Sequence, residues 1–253
     1  MQPDIHVASD PRELSEGVAQ RFSELGRAAI RERAVFRVCV AGGNTPRGAY
    51  ELLARPAPPA MHSPAWLEWE RVHIYFGDER CVAPEDSQSN FRMLRESLLE
   101  HVPIAAHHVH RIEGELEPAR TAERYAAVLK AALGSDAQGW PEQPFDLVML
   151  GLGADAHTAS LFPGSSTAPR DWVSARQQPQ TGQWRVTLTE PVINAAREVM
   201  LLVAGAEKAA ALFEVVRGPR DLARLPGQRI APRGLLSLWT DSAAAKQLGN
   251  GPA

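Results

Sequence analysis

Apolar positions along this chain alternate between short unbroken runs and stripes at helical spacing. Over about 10–33, Leu14, Val18, Phe22, Leu25 and Ile30 recur close to the helical period, which predicts an amphipathic first helix. Residues 36–41 form a strand-like run, Gly42-Gly43-Asn44-Thr45 a tight loop, and Pro46 the first residue of a helix reaching about Ala54. The proline-rich piece 55–60 reads as a surface connection. A strand over 72–76 and a polar loop then lead through Ser89-Asn90 into a helix ending near Glu100. Further on, the pattern predicts a helix over 118–133, a strand from about 145, a loop over 177–183, strands over 185–188 and 198–204, and a helix over 207–216. A strand over 235–239 and a terminal helix from Asp241 complete the pattern. Strands alternating with helices predict an α/β fold: one doubly wound domain spanning 1–253, with a mostly parallel sheet and helices on both faces.

The stretch from Phe145 to Gly164 carries the strongest chemical signal. An apolar run breaks at Gly151 and Gly153, presents Asp155 and His157, and passes into a short helical segment closed by Pro163-Gly164. A buried strand there delivers polar groups to its carboxyl end, where open α/β sheets bind ligands. His157 has the side chain suited to taking a proton from water and returning it. Asp155 either fixes the imidazole tautomer or caps the following helix, and the amides of 151–154 are candidate oxyanion donors. Residues 151–156 also fit Gly-x-Gly-x-x-Ala, a dinucleotide fingerprint. That motif needs a long helix and then a second strand, whereas Pro163-Gly164 ends this helix after roughly two turns and a Ser/Thr/Pro stretch follows.

Two more polar loops follow apolar runs. Gly42-Gly43-Asn44-Thr45-Pro46 either cradles a phosphate or hydroxyl-rich group, using backbone amides and the start of a helix, or is an ordinary strand-to-helix turn. It lacks the Gly-Lys-Ser/Thr ending of a nucleoside-triphosphate loop. Asp78-Glu79-Arg80 is either a solvated loop or a site lining, in which Arg80 meets a phosphate while Asp78 and Glu79 orient it or hold sugar hydroxyls. Arg92 is a further candidate phosphate contact, and Ser89-Asn90 reads as a helix cap. Ser160 reads as a helix residue outside any nucleophile elbow.

Composition narrows the classes. At 253 residues and 44% apolar the chain can bury a large core, and a net charge of −3 argues against nucleic acid or an anionic membrane as partner. Cys39 and Cys81 form no disulfide framework and have no metal-ligand spacing. No signal segment or membrane-length apolar run is present, so a soluble cytoplasmic protein is expected.

These blocks resemble those of the 6-phosphogluconolactonases, relatives of the glucosamine-6-phosphate deaminases. The match lies in Ala41 to Pro46, Asp78-Glu79-Arg80 with Ser89-Asn90, Leu150 to Gly153 with Asp155 and His157, Ser160 to Gly164, Arg185 to Thr189, and Gly205 with Lys208-Ala209. The resemblance implies a doubly wound α/β fold and a carboxylic ester hydrolase of the oxidative pentose phosphate pathway. Such an enzyme converts 6-phospho-D-glucono-1,5-lactone to 6-phospho-D-gluconate without metal or organic cofactor, as a monomer or weak homodimer. It further implies His157 as general base assisted by Asp155, Arg80 and Lys208 as phosphate-binding cations, and Gly43, Asn44 and Thr45 as the substrate cradle, with Asp78 beside them. Without the resemblance, Lys208 reads as a solvated lysine. The family commonly has glycine at Ala156 and serine at Asn44. Alanine at 156 therefore leaves two options: a turn that is not left-handed there, or a rearranged loop. The alternatives are a glucosamine-6-phosphate deaminase, which typically has Asp-Glu-Tyr at 78–80 and an Asn-Glu pair at 160–161, or a non-catalytic sugar-phosphate sensor. A sensor needs a DNA-binding module, for which the segment before the first strand leaves no room.

Overall fold

The computed structural model describes residues 3–55, 67–165 and 170–249. Positions 56–60 of the proline-rich connection and 166–169 of the Ser/Thr/Pro stretch lie outside the described residues. In chain order the strands are β1 (Asp4–Ala8), β2 (Phe36–Val40), β3 (Val72–Phe76), β4 (Asp78–Arg80), β5 (Val109–His110), β6 (Leu147–Gly151), β7 (Val173–Gln177), β8 (Trp184–Leu188), β9 (Glu198–Val203) and β10 (Leu235–Asp241). The α-helices are α1 (Pro11–Arg33), α2 (Asn44–Leu53), α3 (Asn90–Ser97), α4 (Pro118–Leu133), α5 (Glu190–Asn194), α6 (Ala209–Val216) and α7 (Ser242–Ala245).

Seven strands pair in parallel in the order β1-β10-β9-β6-β2-β3-β5. Parallel strands covered on both faces are apolar throughout rather than alternating, and all six residues of β9 are buried. The chain runs outward from β2 to β3 and β5, then returns to the other side of β2 with β6, β9 and β10. The direction of winding therefore reverses between β2 and β6, and the loops leaving their carboxyl ends part to open a crevice. This is the doubly wound α/β architecture that the alternating pattern predicts.

Besides β5, β7 and α5, which the pattern does not mark, four features depart from the sequence reading. The first strand is β1, ahead of α1, and it pairs with β10 at the sheet edge. Helix α2 begins at Asn44 rather than Pro46. Asp78-Glu79-Arg80 is a short strand rather than a loop, and with β8 and β7 it forms a separate antiparallel sheet in the order β4-β8-β7. Among the described residues between β6 and β7 there is no helix: Thr158 and Leu161 close an isolated bridge amid turns, so Ser160 is not a helix residue and Asp155 caps no helix. A dinucleotide site loses its required helix with it.

Two buried tyrosines hold the strand ends that border the crevice. The Tyr50 hydroxyl accepts from the Ala41 amide at 3.1 Å and donates to the Ala41 carbonyl at 3.0 Å. Tyr125 does the same for Phe76, at 2.8 and 3.1 Å. At the opposite ends of the strands, buried Asp146 accepts from the Arg37 amide and the Arg33 guanidinium, and buried Glu198 pairs with Arg21. Both ion pairs tie α1 to the sheet.

An imidazole stack covers the β3–β5 edge. The His73 ring lies 3.9 Å from that of His108, and its Nδ1 is 3.2 Å from Nε2 of His110, which stacks on Tyr75. Burial first, then the neighbouring His108 and His110 and the Arg37 charge, push His73 down from 6.5 to about 4, and burial lowers His108 and His110 as well. The unfolded chain therefore binds protons that the fold refuses. Stability is expected to be unchanged above pH 6.5 and to fall as pH drops from 6.5 toward about 4. Partial exposure limits the loss at His73 to about 1–2 kcal/mol. Urea unfolding at pH 7.5 and 5 measures it, and His73→Gln should flatten the difference. An unchanged pH dependence in that variant would refute the assignment.

No helix among the described residues is long and apolar enough to cross a membrane.

Candidate active site

A cleft of about 410 Å³ opens at the crevice between β2 and β6. Its walls come from the segments after four parallel strands: 41–46 after β2, Gly77, Asp78 and Arg80 after β3, 150–153 and His157 after β6, and Ala204, Glu207 and Lys208 after β9. Arg185, from the small antiparallel sheet, and Asn90, at the start of α3, add polar groups to the lining, and Met149, Ala159 and Leu202 add apolar ones. The structure thus brings Gly43, Asn44, Thr45, Asp78, Arg80, His157 and Lys208 to one cavity. Arg92 is elsewhere, paired with Glu96 and the Glu85 carbonyl.

The β6 loop is shaped around His157. Its Nδ1 lies 2.5 Å from Asp155 Oδ1, and its backbone amide also donates to that oxygen. The carboxylate therefore fixes the ring with its proton on Nδ1, leaving Nε2 as the free base nitrogen. Burial works to raise the Asp155 carboxyl, but the hydrogen bond and charge of His157 together hold it below the ordinary value. About a third of the imidazole is exposed, and its ring centre lies 5.3 Å from that of buried Phe162, the two rings tilted by 51°. A Cβ at Gly153 would stand 2.1 Å from His157 Nδ1 and 2.5 Å from Asp155 Oδ1. Gly153→Ala is accordingly expected to displace the pair and lower kcat by about 10²-fold, the cost of roughly an ångström of misplacement. A variant retaining full kcat in a steady-state assay would show that the pair is not needed in this position.

Ala156 and Ala159 have φ of 64° and 48°, so the turn is left-handed at 156 and the first of the two options fails. Such a backbone costs an alanine roughly 1–2 kcal/mol relative to its normal region. The Ala156 methyl is fully buried, which returns about 0.8 kcal/mol and offsets much of that cost.

The three consecutive charges at 78–80 separate by strand alternation. Asp78 and Arg80 line the cleft, whereas Glu79 points the other way and is buried. Glu79 accepts from the amides of Asn90 and Phe91, both at 2.8 Å, and from Ser89 Oγ at 3.0 Å. It therefore anchors the amino end of α3 and takes no part in holding a sugar. Burial raises its pKa against these hydrogen bonds. Ser89 caps α3 as read, accepting from the Arg92 amide. Asn90 does more than the cap reading gives it: its side-chain amide donates to the Asp78 carbonyl at 2.9 Å and reaches the Asp78 carboxylate at 3.2 Å. It lies so close to Gly42 that a Cβ there would meet Asn90 Oδ1 at 1.9 Å.

Arg185 is the site residue that one-dimensional reading missed. A basic residue at the start of a strand and a place in the matching block 185–189 were its signals, and neither gives it a role; antiparallel register sets it opposite Arg80. Both guanidinium groups have a buried Nε without a hydrogen-bond partner among the described residues. Arg80 also donates to the Gln88 carbonyl. Burial, together with the like charge of Arg80, lowers the Arg185 pKa against the opposing pull of Asp78. Two adjacent arginines with unmet donors, joined by Lys208 across the cleft, suit a multiply charged oxyanion. The Gly153 amide is taken by the His157 carbonyl at 2.8 Å, so it is not a free oxyanion donor. The amides of Gly42 and Gly43 make no hydrogen bond among the described residues and border the same cavity.

Comparison with known proteins places this geometry among relatives. The family model described as glucosamine-6-phosphate isomerases/6-phosphogluconolactonase matches residues 9–239. A 6-phosphogluconolactonase of Synechocystis is 35% identical over 249 residues, covering 98% of this chain and 99% of the relative. That of Aggregatibacter actinomycetemcomitans is 32% identical, covering 92% and 94%. The solved 6-phosphogluconolactonase of Trypanosoma brucei superposes with a TM-score of 0.84 at 30% identity, over 98% of this chain and 99% of that one.

Proposed function

Because this chain belongs to the glucosamine-6-phosphate isomerase/6-phosphogluconolactonase family, we propose that it hydrolyses 6-phospho-D-glucono-1,5-lactone to 6-phospho-D-gluconate, with His157 as general base. The observation that carries the reading is His157, held from behind by Asp155, sharing one cleft with Arg80, Arg185 and Lys208. The whole chain acts in this reading as one cytoplasmic domain.

A δ-lactone is an activated ester, so its hydrolysis needs a base, an oxyanion site and a grip on the distant phosphate rather than a covalent nucleophile. His157 Nε2 takes a proton from water as the water oxygen bonds to the lactone carbonyl carbon. Charge then gathers on the carbonyl oxygen, where the Gly42 and Gly43 amides are the available donors. As the intermediate collapses, the bond from that carbon to the ring oxygen breaks, and the imidazolium returns its proton to the departing alkoxide. Asp155 stabilises the imidazolium between the two transfers. Arg80, Arg185 and Lys208 hold the phosphate, and residues 43–45 with Asp78 cradle the sugar.

Acid release from freshly generated lactone, measured above its spontaneous hydrolysis, tests the proposal. The expected result is saturable acceleration, with no ammonia released from glucosamine 6-phosphate. Ammonia release without lactone turnover would transfer the chain to the deaminase branch.

A further inference from the structure

Ser160 connects the His157 loop to the carboxylate opposite it. The side chain is fully buried, and Oγ donates to Asp78 Oδ2 at 2.7 Å. Its backbone amide donates to Thr187 Oγ1 at 3.2 Å, and Thr187 is the residue that β8 pairs with Asp78. The loop is thus fastened at two atoms to one rung of the small sheet. On the other oxygen of Asp78, Asn90 Nδ2 approaches at 3.2 Å. Each carboxylate oxygen therefore has one donor from the protein and keeps further acceptor capacity on the side that borders the cavity.

We propose that Ser160 is a positioning residue for substrate binding: its hydroxyl orients the Asp78 carboxylate so that the remaining acceptor sites receive hydroxyl groups of the sugar phosphate. The inference rests on the family reading for the identity of the sugar and on the hydrogen bonds for the role. An ionised carboxylate with one fixed donor per oxygen cannot rotate, and a hydroxylated ligand meets a prearranged acceptor instead of ordering a mobile one. Ser160 touches no substrate in this account and acts only through Asp78. That separates it from a serine nucleophile, a role its complete burial already denies it.

The test is a double-mutant cycle on the affinity for 6-phosphogluconate, which retains the sugar hydroxyls and the phosphate but needs no turnover. Ser160→Ala is expected to weaken binding about tenfold, as for loss of a hydrogen bond to a charged group, with kcat on the lactone within about threefold of wild type. Asp78→Ala is expected to weaken binding at least as much, and Ser160→Ala should then add nothing further in the Asp78→Ala background. Independent, multiplying effects would overturn the proposal, as would wild-type affinity in Ser160→Ala. A general packing defect would lower the melting temperature without that coupling. Should the alanine variant not fold, Ser160→Cys nearly preserves the volume with a poor donor; wild-type affinity in that protein would equally refute the role. Failure of the family reading is visible separately, as wild-type protein that neither hydrolyses the lactone nor binds 6-phosphogluconate. The same cycle is then read with glucosamine 6-phosphate, whose hydroxyls make the same demand on Asp78.

Discussion

His157→Ala is expected to lower kcat by about 10²- to 10⁴-fold, the usual contribution of a placed general base, while KM stays within a factor of about three. The split follows from the geometry. The imidazole is held by Asp155 and faces the cavity, but the cations that bind the phosphate belong to other segments. Residual turnover should approach what the oxyanion donors supply alone, so spontaneous hydrolysis must be subtracted. Asp155→Asn should cost less than His157→Ala, because the ring remains but loses its enforced tautomer and its counter-charge. Full turnover in His157→Ala would dismiss the base assignment without touching the fold.

Arg185→Ala should act on the other constant. Loss of one charged donor pair to a phosphate corresponds to about 1.5–3 kcal/mol, or roughly 10- to 150-fold in KM. Arg80→Ala should match it, and Lys208→Ala should move KM in the same direction. Arg185→Lys is expected to recover only part of the loss, since an ammonium cannot reproduce the planar fork. The variant is also expected to be no less stable than wild type: it removes a buried Nε without a partner and a guanidinium crowded by Arg80. A lowered melting temperature with unchanged KM would make Arg185 a structural residue. Steady-state kinetics and thermal unfolding on one preparation decide between the two.

Strands β2, β3, β6 and β9 were readable because burial on both faces writes them as apolar runs, and β6 is the clearest of these. Asp155 and His157 were readable for the same reason: two glycines end a buried run and polar groups follow. What escaped depends on pairing between distant segments. Arg185 gains its place from register with Arg80, which lies about a hundred positions earlier, and nothing local marks that partnership. Glu79 was misplaced because a three-residue strand is too short to display a period of two, so its inward direction was hidden among three like-looking charges. Strand β1 is five residues long and abuts the cap of α1, so its residues merged into the approach to the helix. The helix expected after β6 failed for a different reason. Its residues permit a helix, but the bonds from Thr158 to the Gly151 carbonyl and from Ser160 to Thr187 and Asp78 favour a folded-back loop.

Tyr50 and Tyr125 grip main-chain atoms of Ala41 and Phe76, and the Tyr50 hydroxyl also reaches Met149 Sδ at 3.9 Å beneath the cleft. The contour of the cradle is thereby set from beneath, independently of which residues decorate it. Chemical identity at positions such as Asn44 can then drift under selection for a different sugar while the scaffold that presents it holds still. A pocket built in this way retunes its preferences one exchange at a time, without refounding its architecture.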